Sequence, residues 1–115
     1  MRTDVERLVA NALAEDTGLT CVLEVPDPRP AEFVSVELTG GTGSRFQRDV
    51  TLAVQSWAQT RVLAAEMAME VEDACLLLVR LPQVFRSVPT ETYRFPDPDS
   101  AQERYQTTLE LTICD

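Results

Sequence analysis

Phe33-Val34-Ser35-Val36-Glu37-Leu38-Thr39, Gly40-Gly41-Thr42-Gly43-Ser44 and Asp49-Val50-Thr51-Leu52-Ala53-Val54-Gln55-Ser56-Trp57 form two alternating runs around a glycine-rich break. In the first run Val34, Val36 and Leu38 fall on one side, and Ser35, Glu37 and Thr39 on the other. In the second, Val50, Leu52 and Val54 share a side. Strand side chains alternate between faces, so each run predicts a strand with one buried face. Two such strands joined by a glycine-rich loop predict a long antiparallel hairpin.

Upstream, Thr3-Asp4-Val5-Glu6 has a capping-box pattern, in which a Thr hydroxyl and a Glu carboxylate satisfy free helix-end amides. Val5, Leu8, Val9, Ala12 and Leu13 then recur at helical spacing, predicting a helix over residues 4–16 that stops at Gly18. Residues 20–25 read as a short strand. It ends at Pro26-Asp27-Pro28-Arg29-Pro30, which can neither pair in a sheet nor continue a helix.

Downstream, Thr60 is a good N-cap for a helix over residues 61–79. Ala64, Met67, Ala68, Val71, Ala74, Cys75 and Leu78 form its buried stripe, with Glu66, Glu70 and Asp73 opposite. Residues 87–94 have strand character that Pro89 confines to an edge or a bulge. Residues 104–114 predict a last strand with Tyr105, Thr107, Leu109, Leu111 and Ile113 on one face. The order α-β-β-β-α-β-β predicts an α+β fold: a mostly antiparallel sheet with two helices packed on one face. At 115 residues a single domain is expected.

Composition narrows the function classes. A net charge of −9 argues against free nucleic acid as a partner, since phosphate binding needs a basic stripe. All ten basic residues are Arg, and there is no His, which removes the commonest general base and metal ligand. The apolar-rich run from Val62 to Val79 is broken by Glu66, Glu70, Glu72 and Asp73, so no membrane span is expected. The amino terminus lacks a signal-peptide core, which points to the cytoplasm where the chain is made. Cys21, Cys75 and Cys114 fit neither a disulfide framework nor a zinc site; the first two read as small buried hydrophobes.

The constellations that imitate chemistry have structural explanations. The glycine break lacks the Lys and the following helix of a phosphate loop. Arg45 and Arg48, with Phe46 between them, instead make it a locally basic tip that reads equally as a partner contact or a plain solvent loop. Phe95-Pro96-Asp97-Pro98-Asp99-Ser100 carries paired aspartates but not the ligand spacing of a calcium loop. Prolines that fix φ and aspartates that cap backbone amides make it a stiff turn into the last strand. The row Glu66, Glu70 and Asp73 lies opposite the apolar stripe and reads as a solvated face. Ser residues lack a His or a nucleophile elbow, and the cysteines lack a basic neighbour. No catalytic residue, metal or cofactor is expected, and the chain reads as a non-enzyme that works through its surface.

Three stretches together resemble a known family. They are Val54-Gln55-Ser56-Trp57-Ala58 followed by Thr60-Arg61 and an Ala-rich helix, Phe95-Pro96-Asp97-Pro98-Asp99-Ser100, and Arg104-Tyr105-Gln106 leading into the final strand. The chain is similar in these to the tail terminator proteins of siphophages and prophages, with residues 95–106 the most distinctive part. The resemblance implies a virion structural protein at the head–tail junction. Its subunits would assemble into a hexameric ring that caps the tail tube, stops its polymerisation and offers a joining surface to the connector. It implies three partners: further copies of the chain, the major tail tube protein and a head–tail connector or stopper protein. By the same analogy Arg45, Phe46 and Arg48 reach toward the tube, and Glu66, Glu70 and Asp73 border the lumen. Two alternatives stand beside it: another neck or head-completion protein, or a small-molecule-binding regulatory domain whose sheet and glycine loop frame a pocket.

Overall fold

The structure, a computed structural model, describes residues 3–44 and 46–114. In chain order its elements are α1 (Val5–Thr17), β1 (Cys21–Val22), β2 (Phe33–Gly43), β3 (Gln47–Ala58), α2 (Arg61–Leu77), β4 (Val84–Arg94) and β5 (Glu103–Cys114). A 3-10 turn over Leu78–Arg80 follows α2. The strands form one sheet in the order β1-β2-β3-β5-β4. β1 runs parallel to β2, and the remaining neighbours are antiparallel. The fold is α+β, and the element order agrees with the one the sequence predicts.

Period-two burial explains the layering. Val34 and Val36 of β2, Leu52 and Val54 of β3, and Leu109, Leu111 and Ile113 of β5 are fully or almost fully buried on one face. Val9 and Leu13 of α1 and Ala64, Met67 and Val71 of α2 pack onto that same face. β5 lies between β3 and β4 and pairs with β3 along its length, from Gln47↔Cys114 to Ala58↔Glu103. The last strand is therefore an interior one, and the helices cover its apolar face.

The helix ends follow local chemistry. Thr60 caps α2 by accepting from Leu63 N at 3.2 Å. Gly18 closes α1 in the left-handed region at φ 76°, donating its N–H to Ala14 O. The capping residue of α1 is Asp4, not Thr3: its carboxylate accepts from Arg7 N at 3.3 Å. Glu6 reaches across to the sheet. Its carboxylate accepts from Leu38 N on β2, at 2.8 Å.

Two other expectations are corrected. The strand over residues 20–25 shortens to Cys21–Val22, because pairing with β2 ends at Ser35 and the prolines turn the chain away. The glycine-rich stretch is not a loop: β2 runs through it to Gly43, with a register shift between Leu38 and Gly40. Gly43 adopts φ 148°, and a Cβ there would collide with Gln47 O and Arg48 Cα, so the backbone requires glycine. The hairpin thus outruns the helices. Leu38, on the face predicted to be buried, is 42% exposed.

Candidate functional site

The Phe95–Gln106 stretch builds its surroundings from Trp57 outward. Trp57 sits on the sheet face away from the helices, yet is only 3% exposed. Its ring stacks on Phe33 of the paired strand, centroids 5.1 Å apart and planes 14° from parallel. Its indole N–H donates to Ser35 Oγ at 3.0 Å. The guanidinium groups of Arg104 and Arg29 lie over the same ring, 4.8 and 5.3 Å from its centroid. Cation–π attraction and the apolar Arg stems bury the indole without a helix.

The two arginines tie two loops to this stack. Arg104 also covers the Phe95 ring at 4.4 Å, and its Nε donates to Phe95 O at 2.7 Å. Arg29, from the proline-dense connector, meets the Asp97 carboxylate at 2.9 Å. Asp97 further accepts from Ser100 Oγ at 2.8 Å and from Asp99 N at 3.3 Å. Gln102 Nε2 donates to Pro30 O at 3.0 Å, fixing the turn to the connector a second time. These donors, Arg29 foremost and Ser100 next, hold the Asp97 carboxyl at a pKa of about 2. At the turn's other side Arg94 pairs with Glu103 through two hydrogen bonds, at 2.9 and 3.2 Å, which lowers the Glu103 pKa.

From the indole a line of neutral side chains crosses the sheet. Ser35 Oγ donates to Gln55 Oε1, Gln55 Nε2 to Gln106 Oε1, and Gln106 Nε2 to Tyr93 Oη, at 3.3, 2.9 and 2.8 Å. This ladder links β2, β3, β5 and β4. Hydrogen bonds of this kind between neighbouring strands fix their register.

The site residues named from sequence separate accordingly. Phe95, Asp97 and their flanking Pro96, Pro98 and Asp99 do form one turn, with Pro96, Pro98 and Asp99 exposed at its surface. Tyr105 does not join them: it faces the helices, packs against the main core and accepts from Arg61 Nε at 3.4 Å. Arg29, Trp57 and Gln102 complete the turn but were not assigned to it from sequence. The only available signal was an arginine isolated among prolines.

The hairpin end is less basic than its sequence implies. Arg45 lies outside the described residues. Phe46 is there and is 71% exposed. Arg48 is drawn back along β3, opposite Gly43, and its Nη2 donates to Thr3 O at 2.9 Å. On α2, Glu66, Glu70 and Asp73 are exposed as expected. They share their face with Val62, Met69 and Leu76, which are 68%, 60% and 53% exposed, so the face is acidic and apolar together.

Burial pushes the Cys75 thiol up to about 12 and the Cys21 thiol to about 11, while Cys114 is exposed. Among the described residues no group of three or more His, Cys, Asp or Glu is placed to hold a metal ion. Among them, too, no helix is long and apolar enough to cross a membrane.

No family model matches the sequence, and no curated protein matches it. Among solved structures the chain is similar to one in the virion of a native gene transfer agent particle. The TM-score is 0.63 at 14% identity, over 90% of this chain and 84% of that one. A likeness at that identity establishes a shared fold.

Proposed function

We propose that this protein is a structural component of a phage-like virion, and specifically a tail terminator. It would assemble as a hexameric ring on the end of the tail tube, stop polymerisation and present the surface that the head connector joins. The observation that carries the reading is the fold shared with a chain of a gene transfer agent virion over nearly the whole length of both. The Phe95–Gln106 turn and the Trp57 strand, which resemble the terminator family, narrow it to that role. The absence of His from the sequence and the neutral ladder on the open sheet face support action through surfaces instead of catalysis.

In this reading the exposed Phe46 at the hairpin end makes the tube contact, with Arg48 held back as a support for the arm. Glu66, Glu70 and Asp73 border the lumen, where carboxylates repel passing DNA phosphates.

The test is electron microscopy of the purified protein mixed with isolated tail tubes. Six-subunit density at the tube end distal to the tip is expected. Density at the head connector with bare tube ends would assign the protein to another neck component. A protein that never binds tubes would sink the terminator role.

A further inference from the structure

The sheet has two open edges, and they stand level with each other. Among the described residues no strand pairs with the outer side of β4, nor with β2 beyond Ser35. Reading the register across the sheet, Gly40 leads through Thr51 and Glu110 to Val88. Gly41 leads to Ser87, Thr42 to Arg86 and Gly43 to Val84 by the same rows. Three successive antiparallel pairings also make β4 antiparallel to β2. A second copy rotated about an axis along the strands therefore brings its β4 edge, in antiparallel sense, to the Gly40–Gly43 edge of the first.

The two edges are complementary in shape. A register shift between Val84 and Arg86 leaves Phe85 outside the ladder, and it is 76% exposed. Level with it on the far edge, Leu38, the glycines and Val50 line a cleft of about 500 Å³. Exposed strand edges are templates for pairing with another chain, and most natural edges are blunted. Here the blunting is selective. Pro89 and the second register shift interrupt β4 above Val88, and the Glu6 carboxylate occupies Leu38 N on β2. The short level stretches Phe85–Val88 and Gly40–Gly43 are left open, while Val84 N already donates to Leu81 O at 3.0 Å.

We propose that adjacent subunits join by this edge-to-edge contact, with Phe85 of one copy seated in the glycine-lined cleft of the next. The contact is heterologous, one patch meeting a different patch, and such contacts generate rings when the rotation closes. The inference rests on the ring reading above and specifies the surface that builds the ring. It does not involve Phe46, which the reading above assigns to the tube contact.

Two variants test it, each at a position the subunit's own fold barely uses. Phe85→Ser removes an exposed ring. Leu38→Glu puts a charge into the cleft at a side chain already 42% exposed. Ring formation is measured by sedimentation and native mass spectrometry, alone and with purified tube protein, and circular dichroism confirms the fold. Each variant should weaken ring association by at least about tenfold with unchanged melting. Wild-type rings that both variants form equally well would overturn the contact and leave the terminator reading standing. A wild type that forms no ring alone or with tube protein would overturn both.

Discussion

Ser56 places an unpaired polar atom in the core. The side chain is fully buried, and its Oγ has no hydrogen-bond partner among the described residues. An unpaired buried hydroxyl costs more than it returns, so Ser56→Ala should raise stability by up to about 1 kcal/mol in urea unfolding. A loss of 1 kcal/mol or more would show that the hydroxyl is satisfied in solution. Trp57 behaves oppositely. Its ring holds Phe33, Arg29 and Arg104 together, so Trp57→Ala should cost about 3–5 kcal/mol in the same experiment. The thiols give a third readout. With Cys75 and Cys21 pushed up by burial and Cys114 exposed, a thiol reagent should label Cys114 first in the native protein. All three should react on unfolding, and rapid native labelling of Cys75 would contradict its burial.

At the scale of elements, the acidic turn is a latch between two loops more than a lead-in to a strand. Asp97 has a folded pKa of about 2, below the roughly 3.9 of an unfolded aspartate. Its stabilising contribution is therefore complete above about pH 4 and disappears as pH falls toward about 2. Asp97→Asn should be less stable than wild type at neutral pH, with the gap closing across that acid window. A gap that stays constant from about pH 7 to pH 2.5 would exclude the Arg29–Asp97 contact as its cause. The sequence announced this turn through Pro96 and Pro98, which fix the backbone locally. It could not announce Arg29, 68 positions earlier, because only the folded sheet brings the connector over Trp57. The glycine stretch was misread for a related reason. Glycine is a poor strand former in isolation, but β3 supplies a full antiparallel partner that carries β2 through to Gly43.

For the whole molecule the dominant electrostatic fact is a charge of −9 on every copy. Rings of such subunits repel themselves, and salt screens that repulsion. If edge pairing and Phe85 hold the ring, raising ionic strength from about 0.01 M to 0.15 M should strengthen assembly in sedimentation. Assembly that weakens with salt would point to ion pairs across the interface instead. The arginines already committed within one subunit, Arg29 to Asp97 and Arg94 to Glu103, fit the first outcome.

The α+β class, the two helices, the five strands in their chain order and the buried faces of β3 and β5 were set by the sequence alone, because alternation and helical spacing are local properties. Even the stop at Gly18 and the caps at the helix starts needed only neighbouring residues, with the cap of α1 misplaced by one position. Strand order in the sheet, the interior place of β5 and the burial of Trp57 under two arginines were decided only in three dimensions. So were the apolar residues among the carboxylates of α2 and the level alignment of the two open sheet edges. Each depends on which distant segments meet, and that is set by covering the sheet's apolar face with both helices while loops close the other. A one-dimensional pattern can mark which side of a strand is apolar. What covers that side, and which edge is left open, emerges only when the whole chain has packed.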